Sequence, residues 1–166
     1  MLKFRNRKSL SKEDLIKLEV AANKSARKRA HLNLHDSFED PIQRICIAID
    51  QESYIPPHMY PQKEKWEMIV AVKGRAAVLF FDELSCITKK VELGLKSELH
   101  AIQIPAGTWH SIVPLDPVTI IMKIKQGPYN PEQVTYFAEW APSEKGKHQA
   151  IREWYRSAQV GTSFTS

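Results

Sequence analysis

The sequence predicts an all-β sandwich or barrel with one short helix at each end of the chain. From residue 42 to residue 125, short apolar segments follow one another at roughly regular spacing, separated by Pro, Gly, Asp and Ser: "IQRICIAI", "KWEMIVAV", "RAAVLFFD", "CITKKVEL", "HAIQIP", "HSIVPL" and "VTIIMKIK". Helical spacing of apolar residues occurs only before and after this region. At 166 residues the chain has the size of one domain.

The first helix is predicted to begin after Ser11, which can cap it, and to end near Lys28. Asp14 stands at the capping-box position, where Glu or Gln is more usual. The apolar residues of this segment recur at spacings of three and four, at Leu15, Leu18 and Ala22. This spacing indicates a helix with one apolar face.

The last helix is predicted within "SEKGKHQAIREWYRSAQVG", with Ser143 as a cap and Gly161 as a stop. Its apolar side chains form a helical stripe at Ile151, Trp154, Tyr155 and Ala158. This stripe indicates a helix that packs against the β region.

The two most apolar segments are joined by "VKGR" at residues 72 to 75, which predicts a tight turn and a hairpin. Strand alternation places Glu67, Ile69 and Ala71 on one face, and the other face is apolar as well. We therefore expect the outer face to be covered by the N-terminal helix, by the C-terminal segment or by a second subunit. The apolar faces favour a homodimer, the commonest oligomer.

The charge pattern is that of a basic N-terminal arm. The formal net charge is +5 and the sequence pI is about 9.2, and much of the excess lies in the first 30 residues, including Lys3, Arg5, Arg7 and Lys8. Basic residues without interleaved aromatic residues or a nucleic-acid-binding motif are typical of a solvated surface, so a nucleic-acid partner is not expected. No segment has the apolar length of a membrane span or a secretory leader, which predicts a cytoplasmic protein.

The two cysteines, Cys46 and Cys86, lie in apolar segments without the C-x-x-C spacing of a zinc site. We expect both to be free thiols in a reducing compartment.

A carboxylate inside the apolar segment "WEMIVAV" is costly to bury unless a positive charge compensates it, so Glu67 is a candidate metal ligand. His58 precedes it across a loop, and His110 follows the turn-forming "IPAGT". Two histidines and one carboxylate are a ligand set for divalent transition metals. Alternatively, Glu67 pairs with a nearby cation, Lys63, Lys65 or Arg75, while His58 is a hydrogen-bonded loop residue and His110 lies on the surface.

Together these segments resemble the two signature motifs of the cupin superfamily. Glu67 is followed after six residues by Gly74, as in the first motif, and Pro105, Gly107 and His110 match the P-x-G-x-x-H centre of the second. The resemblance implies a double-stranded β-helix, the jelly-roll barrel of cupins, with short helices at both ends. It also implies an interior divalent metal, Fe, Mn, Zn or Ni, bound by His58, Glu67 and His110.

The match is closer still to the WbuC-type cupin-fold metalloproteins. It includes "RAHLNLHDSFEDPIQR", "SYIPPH", "KWE", "KGR", "FFDE", "IPAGTWHSIV", "KQGPYNP" and "FAEWAP" in this order. The resemblance covers about residues 29–142 as the barrel, which leaves 1–28 as a basic arm and helix and 143–166 as a helix and tail. It implies a role in bacterial surface-polysaccharide biosynthesis and a sugar or nucleotide-sugar ligand.

The chain departs from this family at two positions. Tyr60 stands where the first motif usually has its second histidine, and Lys123 stands where relatives are expected to have a glutamate. A phenol is a weaker metal ligand than imidazole at neutral pH, but it can transfer a proton. Lys123, if it points inward, would bind an anionic ligand or pair with Glu67.

Polar residues alternate along "RAHLNLHDS", just before the barrel. On an entering strand, the polar side chains could line a pocket and bind a sugar or a carboxylate; they are Arg29, His31, Asn33 and His35. The alternative is a surface strand with ordinary hydration.

Three functions follow from these residues. The first is a metal-dependent sugar-modifying enzyme, similar to an isomerase or epimerase, in which a Lewis-acidic metal polarises the substrate and Tyr60 transfers a proton. The second is a non-catalytic binding module in which Tyr60 and Lys123 replace metal chemistry by hydrogen bonding. The third, oxygen activation at non-haem iron, follows from the ligand set alone.

Overall fold

The computed structural model describes residues 8–133 and 135–165. The basic residues Lys3, Arg5 and Arg7 of the predicted N-terminal arm lie outside the described residues. The elements in chain order are α1 (Lys12–Lys24), β1 (Arg29–Asn33), β2 (Ile42–Asp50), β3 (His58–Met59), β4 (Glu67–Lys73), β5 (Arg75–Phe81), β6 (Ile87–Gly94), β7 (Ala101–Ile104), β8 (His110–Pro114), β9 (Val118–Gln126), β10 (Tyr136–Phe137) and α2 (Gln149–Ser157).

The described strands form two five-stranded antiparallel sheets, as the all-β prediction requires. The first sheet has the order β1-β2-β9-β4-β7, and the second has the order β10-β3-β8-β5-β6. Apolar side chains from both sheets meet between them in one core, which includes Ile47, Ile69, Val78, Leu93 and Ile112. The predicted all-β class with a helix at each end is therefore confirmed.

The predicted hairpin between residues 67 and 81 is wrong, because its two strands belong to different sheets. β4 pairs with β7 and β9, whereas β5 pairs with β6 and β8. Gly74 turns the chain from one sheet to the other with a φ of 67°. The corner is held from outside, because the Arg75 amide donates to Asp116 and the Thr119 hydroxyl donates to the Arg75 carbonyl.

Replacing Gly74 with alanine is expected to lower the free energy of unfolding by about 2–3 kcal/mol, measured by urea denaturation. The left-handed backbone disfavours a side chain, and the new Cβ would lie 2.9 Å from the Val118 carbonyl oxygen. Gly107→Ala is the matched control, because Gly107 has a φ of 70° but nothing within 4 Å of the new Cβ. Gly107→Ala should lower the free energy of unfolding by only about 1 kcal/mol. Equal losses in both variants would show that the contact with Val118 has no effect.

The N-terminal helix has the predicted capping box. The Ser11 hydroxyl accepts from the Asp14 amide, and the Asp14 carboxylate accepts from the Ser11 amide. The helix ends at Lys24 rather than near Lys28, because Ser25 is already extended and Lys28 has a φ of 56°. Its apolar face covers the outer side of the first sheet, where the buried residues are Leu18, Ala22, Cys46, Ala48 and Ile120.

The C-terminal helix begins six residues later than Ser143, so the predicted cap is wrong. His148 holds the cap position of Gln149–Ser157 and makes no capping hydrogen bond through its side chain. Ile151 and Tyr155 from the predicted stripe are buried against the outer side of the second sheet. The helices at the two ends of the chain thus cover the two apolar outer faces, and neither is long and apolar enough to cross a membrane.

Candidate metal centre

Three metal-ligating side chains meet inside the barrel, near one end of the sheets. His58 in β3 lies directly opposite His110, the first residue of β8, in the second sheet. Glu67, the first residue of β4, reaches them from the first sheet. One potential ligand atom from each residue lies within 4.8 Å of the other two, and all three residues are buried. The structure thus brings together the three residues that the sequence suggested as ligands.

Backbone carbonyls determine which nitrogen of each imidazole faces the centre of this cluster. The Nδ1 of His58 lies 2.9 Å from the Pro56 carbonyl oxygen, and the Nδ1 of His110 lies 2.8 Å from that of Thr108. A carbonyl oxygen only accepts, so each Nδ1 carries the proton that it donates. In the neutral ring the Nε2 then has a free lone pair, the form in which histidine binds a metal.

The Nε2 of His110 lies 2.9 Å from Glu67 Oε2. A neutral imidazole with its proton on Nδ1 would bring two acceptors together at this distance, so a positive charge is required between them. A proton or a metal ion supplies it. Two ligand atoms bound at about 2.1 Å and at right angles lie about 3 Å apart, so the spacing fits a metal with two histidine ligands and one carboxylate.

Lys123 points into the barrel, which strand alternation alone left open. Its Nζ lies 2.7 Å from Glu67 Oε1, the carboxylate oxygen that does not face His110. Burial raises the pKa of Glu67, but Lys123 and His110 outweigh it and hold this pKa well below its usual range. Burial has the opposite effect on Lys123 and lowers its pKa, but Glu67 and Tyr60 outweigh burial and raise this pKa above its ordinary value. The pair is therefore ionised.

Two of the three surface cations considered for Glu67, Lys65 and Arg75, have other contacts. Lys65 donates to the Gln126 and Pro128 carbonyls, and Arg75 pairs with Asp116. Among the described residues, the lysine in ion-pair contact with Glu67 is Lys123, which comes from a distant strand.

Tyr60 borders the cluster. Its ring lies edge-on to His58, with the centroids 5.7 Å apart, and the Nζ of Lys123 is 6.0 Å from its centroid. Lys123 acts to lower the pKa of Tyr60, but burial and the Glu67 carboxylate together raise it above the usual value. The phenol is therefore protonated at neutral pH and can donate a proton to a neighbouring group.

A cavity of about 200 Å³ adjoins the cluster on the side of His58 and Lys123. Isoleucines line much of its surface, and Arg29, His31 and Glu144 add polar groups. Burial lowers the pKa of His31 to about 4, and Arg29, Arg27 and Lys123 act in the same direction. The cavity thus offers a ligand an apolar surface beside hydrogen-bonding groups.

The structure brings two of the four predicted pocket residues of the entering segment, Arg29 and His31, to this cavity. Arg29 lines it and binds the Ser53 hydroxyl, the Tyr54 carbonyl and the Glu144 carboxylate. Asn33 is exposed on β1 and does not line the cavity. His35 is buried beyond the end of β1, where its Nδ1 contacts the backbone of Arg44.

Glu144 was not identified from the sequence, and it borders the cavity. Its carboxylate pairs with both Arg27 and Arg29, which lie more than 110 positions away in the chain. These arginines, together with their hydrogen bonds, hold the pKa of Glu144 below its ordinary value against the effect of burial. A single glutamate in a polar segment gives no sequence pattern from which its place in the cavity wall could be predicted.

In metal-free protein, stability is expected to decrease as the pH falls below about 6.5, the pKa of histidine in an unfolded chain. Burial, together with His110 and Lys123, lowers the pKa of His58 to about 3. The unfolded chain therefore binds a proton that the folded His58 excludes, and this costs up to about 1.4 kcal/mol per pH unit. Urea denaturation from about pH 7 to about pH 5 in a chelator should show a shallower decline for His58→Gln. Equal slopes would contradict a buried neutral His58.

Several solved structures have a similar fold. Oxalate decarboxylase from Bacillus subtilis has a TM-score of 0.50 and 14% identity, over 66% of this chain and 27% of that one. An oxalate oxidase has a TM-score of 0.50 and 12% identity, over 69% and 57%. A cupin superfamily protein from Desulfitobacterium hafniense has a TM-score of 0.46 and 18% identity, over 66% and 88%. At these identities the likeness shows the fold alone.

The jelly-roll of two sheets, with the two-histidine, one-glutamate cluster between them, is that of a cupin-fold protein. The model of the family described as a domain of unknown function, DUF6016, matches residues 10–93, and the chain belongs to that family. No curated protein matches the sequence. The finer resemblance to WbuC-type proteins stays a prediction.

Proposed function

We propose that this protein binds a divalent transition metal with His58, Glu67 and His110 and modifies a small sugar-related ligand in the adjoining cavity. The main support is the 2.9 Å distance between His110 Nε2 and Glu67 Oε2, because a proton or a metal ion must lie between these two atoms. The third donor, His58, is already oriented by the Pro56 carbonyl. The donor set suits Fe, Mn, Zn or Ni.

The chain's own residues have separate roles in this proposal. The Pro56 and Thr108 carbonyls orient the two imidazoles, and Lys123 holds the second oxygen of Glu67. The protonated phenol of Tyr60 donates a proton to the ligand, and the cavity isoleucines exclude water around it. When bound, the metal supplies Lewis acidity that polarises a carbonyl or hydroxyl oxygen.

The sugar-related ligand is supported by the character of the cavity. Apolar side chains beside hydrogen-bonding groups suit a molecule with both CH faces and hydroxyl groups. The WbuC-type resemblance over about residues 29–142 extends the proposal to nucleotide-sugars and to bacterial surface-polysaccharide biosynthesis.

The second candidate function is a non-catalytic binding module, and the ion pair of Lys123 with Glu67 favours it. An ammonium group 2.7 Å from a ligand carboxylate repels a metal cation and already neutralises the buried charge. In this module, Tyr60 and Lys123 would bind the ligand by hydrogen bonds.

Metal content separates the two candidates. Protein purified without chelator or affinity tag should contain about one ion per chain by elemental mass spectrometry, and His110→Ala should lose it because a ligand is gone. His100→Ala is the matched control, because His100 is exposed and lies outside the cluster. Metal-free wild-type protein that also fails to take up added Zn, Mn, Fe or Ni would overturn the metal enzyme and leave the binding module.

The predicted homodimer stays a prediction. Helices of the same chain cover both outer faces, so a second subunit is not needed for that purpose. Sedimentation at micromolar concentration tests it, and a monomer would contradict it.

A further inference from the structure

A second, smaller pocket of about 70 Å³ lies on the other side of Tyr60 from the main cavity. Its walls include Lys65, Trp66, Glu67, Lys125 and Tyr129. Tyr60 and Thr135 line both pockets, so they form the partition between them. A cavity needs roughly 10–15 Å³ of this kind of volume to hold one water, so the smaller pocket has room for a group of several non-hydrogen atoms, such as a carboxylate or a phosphate.

The charge of this pocket is not balanced by its own walls. Lys125 is half-buried, its Nζ lies 5.4 Å from the centroid of the Tyr60 ring, and among the described residues it has no carboxylate in ion-pair contact. Within residues 8–133 and 135–165, Lys65 donates to the backbone carbonyls of Gln126 and Pro128 and has no carboxylate in ion-pair contact. The carboxylate in the wall, Glu67, is in contact with Lys123 and His110.

The main cavity differs in this respect. There Arg29 is paired with Glu144, and Lys123 is paired with Glu67. Two lysines that face one small pocket, and that have no carboxylate partner in the described part of the chain, are suited to bind an anion. Partly desolvated ammonium groups make strong charge-assisted hydrogen bonds.

We infer that the pocket of Lys65 and Lys125 is a subsite for one anionic group, a carboxylate or a phosphate, of the ligand. Because Glu67 and Tyr60 are part of its wall, an anion bound there places the rest of the molecule beside the three proposed metal ligands. A role of this subsite in catalysis rests on the proposed function. The subsite narrows the class of ligand to an acidic sugar or a sugar phosphate and excludes a neutral sugar.

Four probes distinguish the two sources of negative charge. Inorganic phosphate tests the subsite alone, while glucuronate, glucose 6-phosphate and glucose share a sugar ring and differ in their charged group. Each is titrated into ¹⁵N-labelled protein, and the indole N–H signal of Trp66, assigned with Trp66→Phe, reports on the pocket wall. Phosphate and at least one of the two acidic sugars should shift this signal, and glucose should bind about tenfold more weakly or not at all.

The variants locate the site. Lys125→Met should weaken anion binding about tenfold or more, because it removes the charge and keeps the side-chain length. Lys89→Met, an equal charge change at an exposed position of β6, should leave binding unchanged. Lys65→Met, expected to weaken binding a few-fold, provides a second test in case Lys125→Met does not fold.

Each outcome decides the inference. A Trp66 signal that none of the three anionic probes shifts, anion binding by Lys125→Met equal to wild type, or glucose binding as tight as the binding of both acidic sugars would overturn it. Titration of phosphate into metal-free His110→Ala separates this inference from the proposed function. Retained phosphate binding in a protein that takes up no metal would support the subsite even though the metal enzyme had failed.

Discussion

Replacement of Lys123 by methionine should destabilise the metal-free protein by about 3 kcal/mol, because it leaves the carboxylate of Glu67 buried without its ammonium partner. The Lys123 side chain is only 12% exposed and that of Glu67 only 2%, so bulk solvent screens their interaction little. The free energy of unfolding is measured by urea denaturation in a chelator. Lys89→Met is the control, and a loss below about 1 kcal/mol in Lys123→Met would contradict a buried ion pair.

The same variant should respond to metal more strongly than the wild type does. A divalent ion between His110 and Glu67 supplies the positive charge that methionine removed, and it no longer meets a repelling ammonium group. Added Zn or Mn should therefore restore much of the lost stability, in proportion to the logarithm of the free metal concentration. If metal stabilised neither protein, the binding module would be favoured over the enzyme.

Replacement of Glu67 by glutamine should have the second large effect, because it removes a metal ligand and leaves Lys123 as an unpaired buried cation. The expected loss of stability is about 3–5 kcal/mol in metal-free protein. Metal affinity should fall by at least about 100-fold, measured by competition with a chromophoric chelator.

The double variant Glu67→Gln/Lys123→Met completes a thermodynamic cycle. With both charges gone, neither group is left as an unpaired buried ion, so the double variant should be more stable than Glu67→Gln alone. A double variant whose loss equals the sum of the single losses would mean that the two side chains do not interact. His100→Ala, which changes an exposed residue outside the cluster, should leave both stability and metal affinity unchanged.

Local patterns were sufficient for the strands and for the Ser11 capping box, because these depend on residues close in the chain. They failed at Gly74, where the turn joins two sheets instead of two strands of one sheet. A positive-φ glycine between apolar segments is compatible with both arrangements, and only the pairing of β4 with β9, far along the chain, decides between them.

The same limit applies to the site. The three candidate ligands stood out because Glu67 interrupts an apolar segment and because His58 and His110 occupy motif positions. The direction of Lys123 could not be predicted, because it depends on the register that sets Ile69 opposite Lys123 and Glu67 opposite Lys125. Asn33 was predicted to line the pocket because polar residues alternate along β1. The alternation continues past the cavity, and Asn33 lies at an exposed position.

The contact of Glu144 with Arg27 and Arg29 brings the segments before and after the barrel together at the wall of one cavity. Arg27 follows the first helix, and Glu144 precedes the last one. The segments that flank the barrel are therefore not independent appendages, and a chain trimmed to residues 29–142 would lose both Arg27 and Glu144. The wall of the cavity is therefore completed by residues on both sides of the barrel.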